Sequence, residues 1–167
     1  MKLYSILIFC LLSISGMLLA EPSYDHVTGD VRYLQSPPES LFALAAKSKV
    51  KRAIAVYKHG GLKAVVAAFP DNQQTNRYVA ILNENGRYIY GNIKAGEKKN
   101  IQRQGILKDR IEDPKLEPLF NKVKAKPQWV RLNWINPENN LVEPKIDYLE
   151  YYDGNIFSSG FYLTGSL

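Results

Sequence analysis

Aromatic side chains and single positive charges occur together in several short strand-like runs, and this combination can form a binding pocket. In the run at 128–134, a side-chain period of two places Arg131 on the same strand face as Trp129. Tyr78 and Tyr90 lie in two earlier strand-like runs. Small-molecule pockets combine aromatic walls with a few fixed polar groups, and an arginine or lysine there neutralises a carboxylate. We therefore predict that Tyr78, Tyr90 and Arg131 line a pocket for a small anionic or zwitterionic solute.

The same residues also have a simpler structural interpretation, which the sequence leaves open. Aromatic residues in an antiparallel sheet more often pack in the core or against a neighbouring strand than around a ligand. Arg131 can be a solvated residue on an open sheet face, and Lys145 can be the ion-pair partner of Asp147 or Glu143. Under this interpretation the chain is a protein–protein interaction module with a vestigial pocket.

Residue patterns typical of catalytic or metal sites are missing from the sequence. The two histidines, His26 and His59, belong to no metal-binding spacing, and the sequence contains neither a phosphate loop nor a nucleophile elbow. Ser158 and Ser159 lie in a strand-like run without a nearby base. We expect no catalytic residue, no metal and no cofactor, and therefore a protein that is not an enzyme.

Residues 1–20 are typical of a secretory signal peptide. Lys2 precedes an apolar run that ends at Ala20; an uncleaved N-terminal anchor is the alternative. Cleavage after Ala20 would remove Cys10, the only cysteine, so the mature chain could form no disulfide. We expect a periplasmic or secreted protein without a transmembrane helix after cleavage.

The net charge of the mature chain indicates which classes of partner the protein can bind. Without Lys2, residues 21–167 carry 21 basic and 16 acidic residues, a net charge of +5. A mild positive balance favours anionic partners. Because the basic residues are scattered and the chain is expected to be exported, we predict solvated lysine-rich faces and no nucleic-acid binding.

The first third of the expected domain has helical spacing. Ser36-Pro37-Pro38-Glu39 resembles a capped helix start, with a serine that can accept from backbone N–H groups and a glutamate three residues later. His59-Gly60-Gly61 is expected to end this long helix. A second short helix is predicted at 62–69.

The remainder of the chain has mainly strand-like spacing. Asn83-Glu84-Asn85-Gly86 predicts a hairpin between strands at 77–82 and 87–90. A short helix is predicted from Asp113-Pro114 to about residue 124. Three strands follow, and Asp153-Gly154 predicts the turn between the last two.

This order of elements indicates an α+β fold. Hairpin connections predict a five-stranded antiparallel sheet with the long N-terminal helix packed on one face. Residues 21–35 are expected to form an N-terminal lead-in and residues 36–167 a single domain.

Several short segments occur in an order that is typical of one protein family. They are Gln128-Trp129-Val130, Trp134-Ile135-Asn136-Pro137, Lys145-Ile146-Asp147-Tyr148-Leu149 and Gly160-Phe161-Tyr162, preceded upstream by Tyr78-Val79-Ala80-Ile81-Leu82 before the hairpin signal. In this order they resemble the motifs of single Cache domains, the extracytoplasmic sensory modules of bacterial receptors. The resemblance covers residues 40–163.

The resemblance implies a PAS-like Cache fold and recognition of a small extracellular solute, with short organic acids common in the family. It implies that Trp134, Lys145 and Tyr148 face the ligand. Family members often sit between transmembrane helices of a receptor. For a stand-alone exported chain, the resemblance therefore implies a separate membrane receptor as partner.

Overall fold

The computed structural model of the chain describes residues 31–70, 78–84, 88–91, 117–136, 138–139 and 141–163. The helices are α1 (Leu41–Ala68) and α2 (Glu117–Ala125). The strands are β1 (Arg32–Tyr33), β2 (Val79–Asn83), β3 (Tyr88–Gly91), β4 (Gln128–Ile135), β5 (Val142–Tyr152) and β6 (Asn155–Tyr162). The fold is α+β, as the sequence predicts.

The strands form one antiparallel sheet in the order β1-β4-β5-β6-β2-β3. The described sheet has six strands rather than the expected five, because Arg32 and Tyr33 of the expected lead-in pair with Arg131 and Val130 of β4. A two-residue strand is too short to show a side-chain period of two, which explains why the sequence pattern did not indicate it.

Helix α1 begins later than the sequence predicts. Ser40 is the N-cap, and its hydroxyl accepts a hydrogen bond from the backbone N–H of Ala43 at 3.1 Å. The start predicted at Ser36 is wrong because Pro37 is itself followed by Pro38. A residue that precedes proline disfavours helical backbone geometry. The helix therefore begins only after the two prolines.

The predicted end of the long helix at Gly60 and Gly61 appears as a break within α1. Gly60 has φ −155° and ψ 17°, and Gly61 has φ 62° and ψ −160°, which are not helical values. The positive φ of Gly61 is a conformation that glycine adopts without steric penalty. The segment after the break continues as a helix to Ala68, in agreement with the predicted second helix.

The two hairpins that the sequence predicts are present. β2 pairs with β3, while the turn residues 85–87 lie outside the described residues. β5 pairs with β6 through Asp153 (φ 50°) and Gly154 (φ 75°), positive values that suit a tight two-residue turn. The first residues of the predicted helix at 113–124 also lie outside the described part, and the remainder is α2.

The two faces of the sheet bury different cores. α1 packs on the face formed by Trp129, Tyr148, Phe157 and Phe161, whereas α2 packs on the opposite face with Leu119, Phe120 and Val123 against Leu132, Leu149 and Ile156. Strand β5 contributes alternate residues to each face. Within the described residues, neither helix is long and apolar enough to cross a membrane.

Candidate functional site

A cavity of about 60 Å³ lies between the sheet and α2. Its walls are mostly apolar and come from four strands and the helix: Tyr78, Ala80, Leu82, Leu119, Phe120, Leu132, Trp134, Lys145, Asp147, Leu149 and Ser158. One water needs roughly 10–15 Å³ of such space. The cavity therefore suits a solute with only a few non-hydrogen atoms.

A buried ion pair forms part of the cavity wall. Lys145 and Asp147 are two residues apart on β5 and therefore project from the same sheet face. Lys145 is 3% exposed and Asp147 is 6% exposed, and Lys145 Nζ lies 2.9 Å from Asp147 Oδ1. Charges this deeply buried are costly unless they are paired, so each residue requires the other.

Two tyrosines complete the surroundings of the Lys145 ammonium. Nζ donates a hydrogen bond to the Tyr78 hydroxyl at 3.3 Å. The same nitrogen lies 4.5 Å from the centre of the Tyr78 ring and 5.5 Å from that of Tyr162, which faces Lys145 in the β5–β6 register. Aromatic faces stabilise a cation at these distances. The ammonium is thus held by one carboxylate, one hydroxyl and two rings.

These contacts fix the protonation of the site. Burial alone lowers the pKa of Lys145, but the charge of Asp147, followed by Tyr78 and the hydrogen bonds, outweighs burial and raises the pKa above its ordinary value. Burial, with Tyr78 and Asp147 as further causes, raises the pKa of Tyr162 well above its ordinary value. At neutral pH the site therefore contains an ammonium and a neutral phenol.

Asp147 fits into the sheet because Gly160 lies opposite it on β6. A Cβ at position 160 would overlap with Asp147 Oδ1 and with the carbonyl oxygen of Ile146. Oδ1 is buried and faces the Lys145 ammonium, with Nζ 2.9 Å away. The ammonium therefore supplies the compensating charge for this carboxylate.

Solved structures of other proteins identify the fold of this chain. No protein-family model and no curated protein matches the chain. Among solved structures, it is similar to a Cache chemosensory domain described for its carboxylic acid recognition, with TM-score 0.52, 16% identity, and coverage of 72% of this chain and 92% of that one. The chain has the Cache fold.

Two further solved structures are similar to this chain. One is a methyl-accepting chemotaxis protein from Vibrio parahaemolyticus, with TM-score 0.50, 14% identity, and coverage of 71% of this chain and 86% of that chain. The other is a periplasmic sensor domain of a chemotaxis protein, with TM-score 0.49, 20% identity, and coverage of 72% of this chain and 89% of that chain. The similarity to the Cache chemosensory domain confirms the predicted resemblance at the level of the fold.

The Cache fold brings three of the six sequence-predicted site residues to one cavity. Tyr78 lies immediately before β2, and Trp134 is half-buried near the end of β4. Lys145 lies on β5, which is between β4 and β6 in the sheet. All three line the cavity under α2.

The other three predicted residues lie away from this cavity. Tyr148 is on the α1 face, where its ring is 5.0 Å from that of Trp129 and its hydroxyl donates to Glu150 at 2.8 Å. Burial, followed by this bond to Glu150, raises the pKa of Tyr148. Tyr90 packs with the α1 core and donates to the carbonyl of Phe69, and Arg131 is exposed. A ligand-binding role for these three remains an untested prediction.

The site residues predicted from the sequence do not include Asp147, Ser158 or the apolar wall. Asp147 shares a period-two face with Lys145, and the sequence indicated it as an ion-pair partner of the lysine. Ser158 reaches the cavity only because β6 lies beside β5, and Leu119 and Phe120 only because α2 packs there. Within the described ranges, no three His, Cys, Asp or Glu side chains are grouped to hold a metal ion.

Proposed function

We propose that this chain is an exported sensory module that binds a small carboxylate-bearing solute and does not catalyse a reaction. The observation that carries the proposal is the buried ammonium of Lys145 in the wall of an otherwise mostly apolar cavity. Keeping a charge at 3% exposure costs free energy. A site that presents such a charge to a cavity suits recognition of an anionic group.

The cavity suggests how the solute would lie. Its carboxylate would accept hydrogen bonds from Lys145 Nζ and the Tyr78 hydroxyl, which are already 3.3 Å apart. Its carbon chain would contact the apolar wall that includes Leu132 and Leu149. The small volume favours short carbon chains.

The similarity to a Cache chemosensory domain that recognises carboxylic acids supports the same ligand class here. The predicted signal peptide supports a periplasmic or secreted location, where the protein would encounter such a solute. In this proposal the loaded module is read by a separate membrane receptor.

The proposal is tested by ligand-dependent melting. The full mature chain is heated with a panel of carboxylates and amino acids of two to six carbons. A ligand at 100 times its Kd adds about 2.7 kcal/mol to the free energy of unfolding, which raises Tm by roughly 5–10 °C in a domain of this size. At least one panel member is expected to give such a rise.

Paired variants show where the ligand binds. Lys145→Met with Asp147→Asn removes both buried charges together, so neither is left uncompensated, and it should abolish the rise in Tm. Lys63→Met with Asp153→Asn makes the same chemical changes at exposed positions and should keep it. A panel without any rise at millimolar concentration, or an equal rise in both double variants, would refute the proposal.

Two observations favour the interaction-module alternative, one at the same site and one at the start of α1. Asp147 and Tyr78 already satisfy the charge of Lys145 within the protein. Two large apolar residues at the start of α1, Leu41 and Leu44, are 82% and 66% exposed. Under this alternative the wild-type protein gives no ligand-dependent rise in Tm, which is the outcome that separates it from the main proposal.

A further inference from the structure

We propose that one end of the domain docks on the surface of a lipid bilayer through exposed apolar side chains. Seven large apolar residues are exposed in the described part of the chain. Five of them lie at the start of α1, in the β4–β5 loop, at the start of β5 and just after β6, and they are named here the apolar end: Leu41, Leu44, Leu141, Val142 and Leu163. The proposal is independent of ligand binding in the cavity under α2.

These segments meet at the same end of the sheet. The ring of Phe42 in α1 is 5.8 Å from that of Phe161 in β6, so α1 begins beside the end of β6. The backbone N–H of Leu163 donates to the carbonyl of Pro144 at 2.9 Å, so the end of β6 lies beside the start of β5. The five apolar side chains therefore belong to one surface.

The other two exposed apolar residues lie elsewhere. Val66 follows the break in α1. Ile89 of β3 lies level with the start of β6, because Leu82 of β2 pairs with both Tyr88 and Ile156. Single exposed apolar residues are normal on a protein surface, whereas a group of them marks a contact site. The apolar end is such a group.

The β4–β5 loop holds Leu141 outwards in a fixed position. Its backbone N–H donates to Asn139 Oδ1 at 2.9 Å, and its carbonyl accepts from the backbone N–H of Asn136 at 2.8 Å. The side-chain amides of both asparagines donate to the Glu143 carboxylate at 2.7 Å. Leu141 is nevertheless 60% exposed. A loop ordered in this way presents the leucine ready for contact, without a further entropic cost of ordering.

The charges near the apolar end balance one another. Arg32 and Arg131 are exposed and occupy paired positions on β1 and β4, and Glu39 and Glu138 are exposed close to Leu41 and Leu141. A surface without net charge has no electrostatic preference for an acidic or a basic protein. Apolar side chains at the tip of a domain can enter the boundary between lipid headgroups and acyl chains, where binding increases with the apolar area buried.

The course of the chain supports a bilayer as the occupant. β4 runs towards the apolar end, where Ile135 pairs with Val142, and β1 is antiparallel to β4. The chain therefore enters the described sheet from the apolar end. The apolar run at 3–19, which precedes this entry in the sequence, is predicted to contact a membrane during export.

Vesicle co-sedimentation of the mature chain, residues 21–167, tests the proposal. The vesicles contain phosphatidylcholine alone or phosphatidylcholine with phosphatidylglycerol. We expect binding to both, and binding that persists when NaCl is raised from about 0.1 M to about 0.5 M, because salt screens charges and not apolar insertion. A protein with a net charge of +5 that binds by charge alone would bind only the anionic vesicles and would be released by salt.

Matched variants show which surface binds. Leu41→Gln with Leu44→Gln should lower the vesicle partition coefficient by at least about tenfold, because two leucines no longer leave water. Val66→Gln with Ile89→Gln makes the same kind of change away from the apolar end and should keep wild-type binding. All four positions are exposed, so both double variants are expected to keep the wild-type Tm.

A dye that responds to polarity reports the orientation. Residues 21–167 contain no cysteine, so Leu141→Cys and Ile89→Cys each introduce a single labelling site. Vesicles should increase the fluorescence of the dye at position 141 and leave that at position 89 unchanged.

The alternative occupants give different results. Absence of salt-resistant binding, or an equal loss of binding in the two double variants, would overturn the proposal. A dimer detected by light scattering without vesicles, and dissociated by Leu41→Gln with Leu44→Gln, would show instead that a second copy covers the apolar end. None of these results affects the ligand-dependent rise in Tm, so the proposed carboxylate binding is tested separately.

Discussion

At the scale of the residue, the buried Lys145–Asp147 pair dominates the energetics of the site. Both side chains are almost fully buried, and Nζ and Oδ1 are 2.9 Å apart. The attraction in such a pair roughly offsets the cost of removing two ions from water, so the pair as a whole adds little stability. Removing one partner leaves the other as an isolated buried charge, which is far more costly. The pair is therefore expected to contribute little net stability, which is compatible with the proposed role of Lys145 in binding.

The mutual dependence of the two buried charges predicts a strongly non-additive double-mutant cycle. Lys145→Met alone should lower the free energy of unfolding by about 3–5 kcal/mol, because Asp147 then lacks its cation. Adding Asp147→Asn should recover most of that loss. Urea unfolding of the wild type, both single variants and the double variant measures the coupling. Additive losses would show that the charges do not depend on each other.

At the scale of the element, β5 joins the cavity to the long helix. Its alternate residues Lys145 and Asp147 face the cavity under α2, while Tyr148 and Glu150 face α1. Glu150 pairs with Lys51 of α1 at 2.7 Å. The cavity wall and the ion pair with α1 are therefore built on the same strand.

The break in α1 is a property of this element that a substitution can test. Gly61 has φ 62° and ψ −160°, a region that is essentially restricted to glycine. Gly61→Ala should lower the free energy of unfolding by about 1–3 kcal/mol, measured by urea unfolding. If the helix instead ran straight through this position, the same change would stabilise it by up to about 1 kcal/mol. The sign of the effect is decisive. As a reference, Ala67→Gly in the helical part that follows should be destabilising by about 1 kcal/mol.

At the scale of the whole molecule, the sequence predicted the helices and strands better than it predicted the site. Long runs with a clear period, such as β4, β5 and β6, and the glycine break in α1 were predictable because local chemistry determines them. Strand β1 was not, because two residues have no measurable period. The site was predicted in part: Tyr78, Trp134 and Lys145 meet at the cavity, but Tyr148 lies on the other face. Which residues become neighbours depends on the order of the strands and on the position of α2. No single segment of the sequence determines either of these.

The central claim is that the cavity beside Lys145 receives a small carboxylate-bearing ligand. A crystal structure of the wild-type protein, grown with a saturating concentration of the two- to six-carbon carboxylate or amino acid that raises Tm most, tests this claim most directly. We expect electron density for the ligand in the cavity, with a carboxylate oxygen about 2.7–3.2 Å from Lys145 Nζ. A cavity that contains only water, or that is closed by the protein's own side chains under these conditions, would contradict it.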